Sequence, residues 1–136
     1  MLSNRPPANS LLGLFGLAPI PLATVTGSDG IDTRYRFDVY GIYDRPSGVN
    51  AVYVFARQSA QAYEPLYIGR AEILSERLTG HERLSEAIML GAAHLLVHIP
   101  GPRDRIGFED AERRLISRFG PPLNVQHNAM RSFLGA

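Results

Sequence analysis

The sequence contains no cysteine and no lysine. Without cysteine the chain can form neither a disulfide framework nor a thiolate metal site, and this agrees with a cytoplasmic location. All 14 basic residues are arginine. Arginine presents a planar fork that suits phosphate, but a bias in genome composition is the simpler explanation. The net charge of +1 argues neither for nor against a polyanionic partner.

A long hydrophobic run is also missing. The longest apolar stretch is 11–22 (LLGLFGLAPIPL), and its 12-residue length and two prolines exclude a membrane span. It lacks a basic start and a small-residue cleavage site, so we do not expect a signal peptide. We interpret this stretch as a hydrophobic flap on the core or, alternatively, as a contact within a homo-oligomer. We therefore expect no membrane partner.

The patterning of the remaining chain predicts an α+β fold. A length of 136 residues suits one domain with a hydrophobic core. Alternating aromatic and branched residues indicate strands, and apolar residues at helical spacing indicate helices. The predicted strands are 33–43, 51–56, 66–69 and 94–100, with a loop over 58–64, and the predicted helices are 72–80, 83–90 and 104–119. We expect a small antiparallel sheet of three core strands (51–56, 66–69 and 94–100), flanked by the helices.

One carboxylate lies in the apolar stripe of the last predicted helix. Glu112 comes four residues after Phe108 and four before Ile116, so it shares their helix face. A carboxylate there is costly unless an arginine or a metal satisfies it. Both an internal salt bridge and a metal site remain open for Glu112. By contrast, the spacing of Glu109 and Arg113 predicts a surface ion pair.

Two pairs of polar residues are less informative. Arg77 and His81 are four apart and would share a face if helical. Taken alone, they predict two half-exposed residues that border a buried face, and Gly80 argues against a helix that reaches His81. His94 and His98 share one strand face, but no third metal ligand is near them in the sequence. We interpret these two histidines as structural or rim residues.

Together, several of these positions resemble the GIY-YIG nucleases, a family found in bacterial excision-repair incision domains, phage homing endonucleases and some restriction enzymes. A strand with Tyr53 (AVYV) precedes the Leu-Tyr-Ile-Gly sequence that contains Tyr67 and Gly69. Arg77 lies ten residues after Tyr67, where the family has its arginine. The other matching positions are Arg70, often basic in the family; His81, where members carry histidine or tyrosine; Glu112, the metal-binding glutamate; and Asn124, twelve residues after Glu112.

Two tyrosines compete for the first tyrosine of the family motif. Tyr43 ends a literal Gly-Ile-Tyr, whereas Tyr53 ends Ala-Val-Tyr. In the family this tyrosine lies on the strand that pairs directly with the YIG strand. Tyr53 is 14 residues before Tyr67, but Tyr43 is 24 before it, with the strong breaker 44–48 (DRPSG) between. The resemblance therefore predicts that Tyr53 belongs to the site and that the literal triplet is a coincidence.

The resemblance implies a divalent-metal-dependent endonuclease that hydrolyses phosphodiester bonds in DNA. Glu112 would hold one Mg²⁺, for which Mn²⁺ can substitute, and Arg77 would place positive charge at the scissile phosphate. Tyr53 is the favoured general base, supported or replaced by Tyr67 and His81. Because the pKa of a free tyrosine is about 10, a tyrosine base needs nearby positive charge. Asn124 is expected in the catalytic set, and Gly69 and Arg70 at the substrate.

The resemblance covers residues 49–126. Residues 1–48 are then an N-terminal extension with the apolar segment and one or more extra strands, and 127–136 a C-terminal tail. We expect any sequence specificity to come from loops, the extension or a partner. Two other classes remain open: a catalytically inactive module of the same fold that binds nucleic acid or protein, and a structural subunit assembled through the apolar segment.

Overall fold

The computed structural model describes residues 18–125, which form an α+β fold with one five-stranded antiparallel sheet and three helices, and residues 122–125 are also helical. The strands are β1 (Ala23–Ser28), β2 (Arg34–Gly41), β3 (Val49–Ser59), β4 (Ala62–Ile73) and β5 (His94–His98); the helices are α1 (Leu74–Leu78), α2 (Leu84–Met89) and α3 (Phe108–Phe119). The predicted tail 127–136 and positions 11–17 of the apolar stretch lie outside the described residues. Between residues 18 and 125, no helix is long and apolar enough to cross a membrane.

The sheet is larger than the three core strands predicted from the sequence. Its strand order is β1-β2-β5-β3-β4, so the three predicted strands are neighbours and β1 and β2 extend the sheet beyond β5. Strand β2 pairs with β5 through a register that aligns Asp38 with Val97. Because β2 and β5 are far apart in sequence, no local sequence pattern predicts that they pair. Part of the predicted N-terminal extension is thus continuous with the main sheet.

Strands β3 and β4 form one long hairpin. The prediction of a loop over 58–64 is wrong, because Ser59 pairs with Ala62 and only two residues connect the strands. Ala60 takes a positive φ of 53° in this tight turn. A bulge interrupts the ladder, since Phe55 pairs with Tyr67 but the next residue, Ala56, pairs with Pro65. The unpaired residue therefore directly precedes Tyr67.

The two faces of the hairpin enter two different hydrophobic cores. As predicted from the alternation, Tyr53 and Phe55 share one core, while Val52 and Val54 belong to the other. The first core includes buried residues of α1 and α2, and the second includes buried residues of α3. We call these the α1–α2 face and the α3 face of the sheet. Helices therefore cover both faces of the hairpin.

Helix α1 is shorter than predicted. It ends at Leu78, and the next residue, Thr79, is already extended. Gly80 then takes a φ of 65°, in the left-handed region that favours glycine. His81 is consequently not on the helix, and it reaches the sheet from the loop that leads into α2. As Gly80 indicated, the helix does not reach His81, so Arg77 and His81 do not share a helix face.

Helix α3 begins at Phe108, four residues later than predicted. It ends as predicted, because Gly120 adopts the left-handed conformation and its N–H donates a hydrogen bond to the carbonyl of Ile116 in the last turn. The expected ion pair between Glu109 and Arg113 is replaced by one between Asp110 and Arg113. Both spacings place side chains on one helix face, so the sequence alone could not choose between these acidic partners.

Candidate active site

A buried tyrosine and a buried histidine meet on the α1–α2 face. Tyr53 lies opposite Gly69 in the hairpin and has no exposed surface. Its Oη is 2.7 Å from His81 Nε2. The imidazole of His81 also contacts the rings of Phe55 and Tyr67 edge-on, with centroid distances of 4.9 and 5.2 Å. The expectation of a half-exposed histidine at position 81 is therefore wrong.

The second ring nitrogen of His81 is held by the backbone. The N–H of Arg83 donates to His81 Nδ1 over 2.9 Å. Burial, reinforced by the positive charge of Arg77, lowers the pKa of His81 from 6.5 to about 4. The imidazole is consequently neutral at neutral pH.

Tyr67 lies next to Tyr53 but is only partly buried. Their ring centroids are 6.2 Å apart, and burial raises the pKa of both phenols. The charge of Arg77 lowers the pKa of Tyr67, whereas the charges of Glu82 and Glu112 raise it. Tyr67 therefore lies within electrostatic reach of groups on both faces of the sheet.

Arg77 lies at the rim of this cluster, and an acidic neighbour holds its guanidinium. Its two terminal nitrogens donate to the two carboxylate oxygens of Glu82 over 3.0 and 2.8 Å. These hydrogen bonds raise the pKa of Arg77 and lower that of Glu82 to about 2. The Glu82 side chain is 65% exposed, so an incoming anion can displace it at little cost. No pattern in the sequence predicted that Glu82 would bind Arg77.

Glu112 lies on the opposite side of the hairpin, towards the α3 face. Its nearest cation is Arg70, at 3.7 Å, which is a loose ion pair. The Glu112 side chain is 20% exposed, and burial raises its pKa although Arg70 opposes the shift. The structure thus separates the predicted residues into two groups, one on each face of the sheet.

Between residues 18 and 125, no three histidine, aspartate or glutamate side chains lie together in a way that could hold a metal ion. Glu112 is a partly buried carboxylate with one loose ion pair, to Arg70, so its oxygens have lone pairs left to bind a metal ion. Mg²⁺ commonly binds through one or two carboxylates, several waters and the phosphates of a substrate. Glu112 therefore fits a metal that is bound jointly by protein and phosphate.

Two predicted site residues have structural contacts. Asn124 is buried, and its amide both accepts from the Ile68 N–H (2.8 Å) and donates to the Ile68 C=O (2.9 Å). This clamp fixes the strand that carries Tyr67. Gly69 is buried beneath the ring of Tyr53, so it is not accessible to a substrate, whereas Arg70 is exposed.

The residues outside this cluster clarify the sequence-based alternatives. Tyr43 is 70% exposed and lies beyond the end of β2, so it is not on the β3–β4 hairpin that carries Tyr53 and Tyr67. Arg45, which the sequence did not single out, donates to the Ile42 carbonyl, and its charge contributes to the low pKa of His81. Its position as a charged residue within the turn segment 44–48 is the feature of the sequence that could have drawn attention to Arg45.

The other two histidines considered in the sequence do not form a pair. His98 Nδ1 lies 2.9 Å from the carbonyl oxygen of Arg36, and its ring packs edge-on against Tyr35. The ring of His94 packs edge-on against Tyr63, and its Nδ1 finds no hydrogen-bond partner in the described part of the chain. These contacts agree with a structural role.

No protein-family model, curated protein or solved structure matches the chain. A functional proposal therefore depends on what the assembled side chains can do. The α1–α2 face combines a cationic fork with phenol and imidazole groups, and Glu112 adds a carboxylate across β4. Such a set can bind an anion, hold a water and move a proton.

Proposed function

We propose that this protein is a divalent-metal-dependent endonuclease that hydrolyses phosphodiester bonds in DNA, as its resemblance to the GIY-YIG nucleases implies. The observation that carries the proposal is the cluster of Tyr53, Tyr67 and His81 with Arg77 at its rim. Buried phenol and imidazole groups beside a cation are costly in a core and typical of functional sites. DNA as partner and the lack of cysteine favour a cytoplasmic location.

Arg77 is the proposed contact for the scissile phosphate. Its guanidinium already binds two carboxylate oxygens in a fork geometry, through Glu82. A phosphate presents two oxygens in a similar arrangement, so it can replace Glu82 without reorganising the arginine. Fixed positive charge then stabilises the extra negative charge of the transition state. Arg70, which is exposed on β4, supplies a second positive charge to the DNA backbone.

Glu112 is the proposed metal ligand, and it would share Mg²⁺ or Mn²⁺ with waters and the phosphate. When bound, the metal supplies stabilisation of charge on the phosphate and the leaving oxygen. The chain itself must release Glu112 from Arg70, and the loose 3.7 Å contact makes this release inexpensive.

The hydrolysis step requires a base at the tyrosine cluster. A phenolate oxygen accepts one proton from water, and the water oxygen forms a bond to phosphorus. The phosphorus–oxygen bond to the leaving group breaks, and the leaving oxygen takes the electron pair and then a proton from solvent. The products are a phosphate monoester and a free hydroxyl, with the phenol restored to phenolate by loss of its proton.

The decisive experiment is incubation of the purified protein with Mg²⁺ and a panel of DNA forms: supercoiled, linear, single-stranded, flap and branched. We expect cleavage of at least one form and its loss in EDTA. Arg77→Ala should lower the rate by about a hundredfold or more, since a transition-state contact is lost. Arg57→Ala is the matched control, because Arg57 pairs with Glu64 on the hairpin surface at 2.7 Å.

The same panel separates the nuclease from the second candidate, an inactive DNA-binding module. The specific observation in favour of that module is the occupied guanidinium of Arg77 together with a single carboxylate at Glu112. DNA binding without cleavage of any form, at any Mg²⁺ or Mn²⁺ concentration, would support the binding module. Equal activity of Arg77→Ala and wild type would remove Arg77 from the site.

A further inference from the structure

A backbone N–H determines which ring nitrogen of His81 donates and which accepts a hydrogen bond. A backbone N–H can only donate, so the bond from Arg83 requires a lone pair on His81 Nδ1. A neutral imidazole carries one proton, which must then be on Nε2. This nitrogen is 2.7 Å from Tyr53 Oη. His81 therefore donates its proton to the oxygen of Tyr53 and has no basic nitrogen left to offer a substrate.

The direction continues through Tyr53. Because its oxygen accepts from His81, its own hydroxyl proton must point elsewhere. Tyr53 has no exposed surface, and the ring of Tyr67 lies beside it with the two centroids 6.2 Å apart. The hydroxyl oxygen of Tyr67 is an acceptor that could take this proton. Burial raises the pKa of both phenols, and a hydrogen bond donated by Tyr53 would favour the phenolate of Tyr67.

We propose that Tyr67 is the tyrosine that takes the proton from the attacking water, and that Tyr53 and His81 are positioning residues that donate hydrogen bonds towards it. The inference rests on the proposed nuclease function and reverses the family-based expectation, in which Tyr53 is the favoured base. In the step, which begins with Tyr67 as the phenolate after loss of its own proton to solvent, one O–H bond of water breaks and one O–H bond forms at the phenolate Oη. The water oxygen bonds to phosphorus, and the leaving oxygen departs with its electron pair.

The position of Tyr67 supports this assignment. It is partly exposed on the outer strand β4, whereas Tyr53 is enclosed. The bulge residue directly before it locally changes the strand, a device that often re-aims a side chain beside a functional site. Tyr67 is also within electrostatic reach of both Arg77 and Glu112.

The tautomer of His81 can be measured without any substrate. A long-range proton–nitrogen NMR spectrum of the full chain, with labelled histidine, distinguishes a protonated ring nitrogen from a bare one. The sequence has four histidines, and the His81→Gln spectrum assigns the signals of His81. We expect a proton on Nε2 and none on Nδ1 at neutral pH. A proton on Nδ1 would overturn the inference, because His81 could then accept from Tyr53.

Cleavage by isosteric variants tests the roles of the tyrosines. Tyr67→Phe should lower the rate by about a hundredfold or more, as for loss of a general base. Tyr53→Phe removes one donor and should cost about tenfold. Tyr43→Phe is the exposed control and should behave as wild type. A larger loss for Tyr53→Phe than for Tyr67→Phe would return the base to Tyr53.

Two variants of His81 test whether it acts by donating a hydrogen bond. Glutamine at this position retains an N–H donor, whereas leucine does not, so His81→Gln should cleave severalfold faster than His81→Leu. Equal rates in the two variants would contradict a role as donor. If the wild-type chain cuts no DNA, the proposed function fails, while the spectrum still decides the direction of the hydrogen bonds. If it cuts but the variants rank otherwise, only the assignment of Tyr67 fails.

Discussion

Gly69 lies directly beneath the phenol ring of Tyr53: a Cβ added to Gly69 would be 2.5 Å from Tyr53 Cζ and would overlap the hydroxyl group. The two residues are partners in the β3–β4 ladder. The glycine of the YIG triplet is thus explained by packing and not by a special backbone angle. The ring of Tyr53 reaches across its partner strand towards His81 because that partner has no side chain.

Gly69→Ala should therefore displace Tyr53 and break its contact with His81. We expect a loss of roughly 1–3 kcal/mol in the free energy of unfolding, as for other overpacked cores, together with a loss of cleavage. Chemical denaturation and the cleavage assay measure the two effects. Gly101→Ala is the control, because its Cβ would make an ordinary contact at 3.7 Å. A stable and fully active Gly69→Ala would show that the ring position of Tyr53 is unimportant.

Glu82 should compete with DNA for Arg77. Glu82→Gln removes the carboxylate that occupies the guanidinium, so we expect DNA to bind up to about fivefold more tightly, within the range of an exposed ion pair. Titration of labelled DNA in EDTA measures the affinity. The control is Glu86→Gln, which removes the same charge from a pair with Arg83. If both variants gain equally, the effect is one of net charge and not of competition.

Glu112→Gln should abolish metal-dependent cleavage while DNA binding persists. The pair with Arg70 is loose, and the Arg70 side chain is 48% exposed, so Arg70 can be solvated when the charge is removed. We therefore expect the melting temperature in EDTA to hold or rise. Glu109→Gln on the same helix is the control for a lost surface charge.

A different result would reassign Glu112. If the carboxylate were half of a buried salt bridge, its removal would cost roughly 3–5 kcal/mol. Thermal melting in EDTA, run beside the cleavage assay, separates the two roles. A variant that melts much earlier yet still cuts when folded would exclude Glu112 as the metal ligand.

The buried neutral imidazole of His81 should make the protein less stable in mild acid. The pKa of His81 is about 4 when folded, against 6.5 in the unfolded chain. Between these pH values the unfolded state binds a proton that the folded state excludes, so the free energy of unfolding falls as pH falls. The full effect is on the order of 3 kcal/mol and is constant below pH 4.

Denaturant titrations between pH 7 and 5 test this expectation. His81→Gln should lower the slope of stability against pH by up to one proton. The slope that remains includes His94, whose pKa burial also lowers. Glu82 begins to lose its own contribution only as pH falls below its ordinary value of 4.5. Burial raises the pKa of Glu112, which changes the slope in the opposite direction, so the difference between His81→Gln and wild type, and not either slope alone, reports His81. An unchanged slope in His81→Gln would mean that His81 titrates normally when folded.

Local patterns predicted the parts of this structure that depend on local physics. The alternation of Tyr53 and Val54 assigned the two faces of β3, and Gly120 marked the end of α3. The register of the hairpin brought Tyr53 opposite Gly69, which agrees with preferring Tyr53 to Tyr43. These features follow from side-chain spacing and backbone preference, which can be recognised within a single segment of the sequence.

Other features depend on partners distant in sequence. Pairing of β2 with β5 joins segments with no shared pattern. The bulge before Tyr67 and the bond between His81 and Tyr53 appear only after the hairpin and the α1–α2 loop are assembled. Glu82 is equally hidden, because a glutamate beside a histidine in a polar loop looks like an ordinary surface residue.

The clamp between Asn124 and Ile68 has a consequence for how molecules of this protein behave towards one another. Strand β4 is the last in the sheet, and the Ile68 N–H and C=O are bonded by Asn124 and not by a further strand. Unpaired backbone groups on such a strand can template the addition of a strand from a second molecule, and proteins commonly block them. The amide of Asn124 fills that position with one donor and one acceptor. Asn124, which holds strand β4 in place, thereby also blocks the pairing of a second molecule with β4 at Ile68.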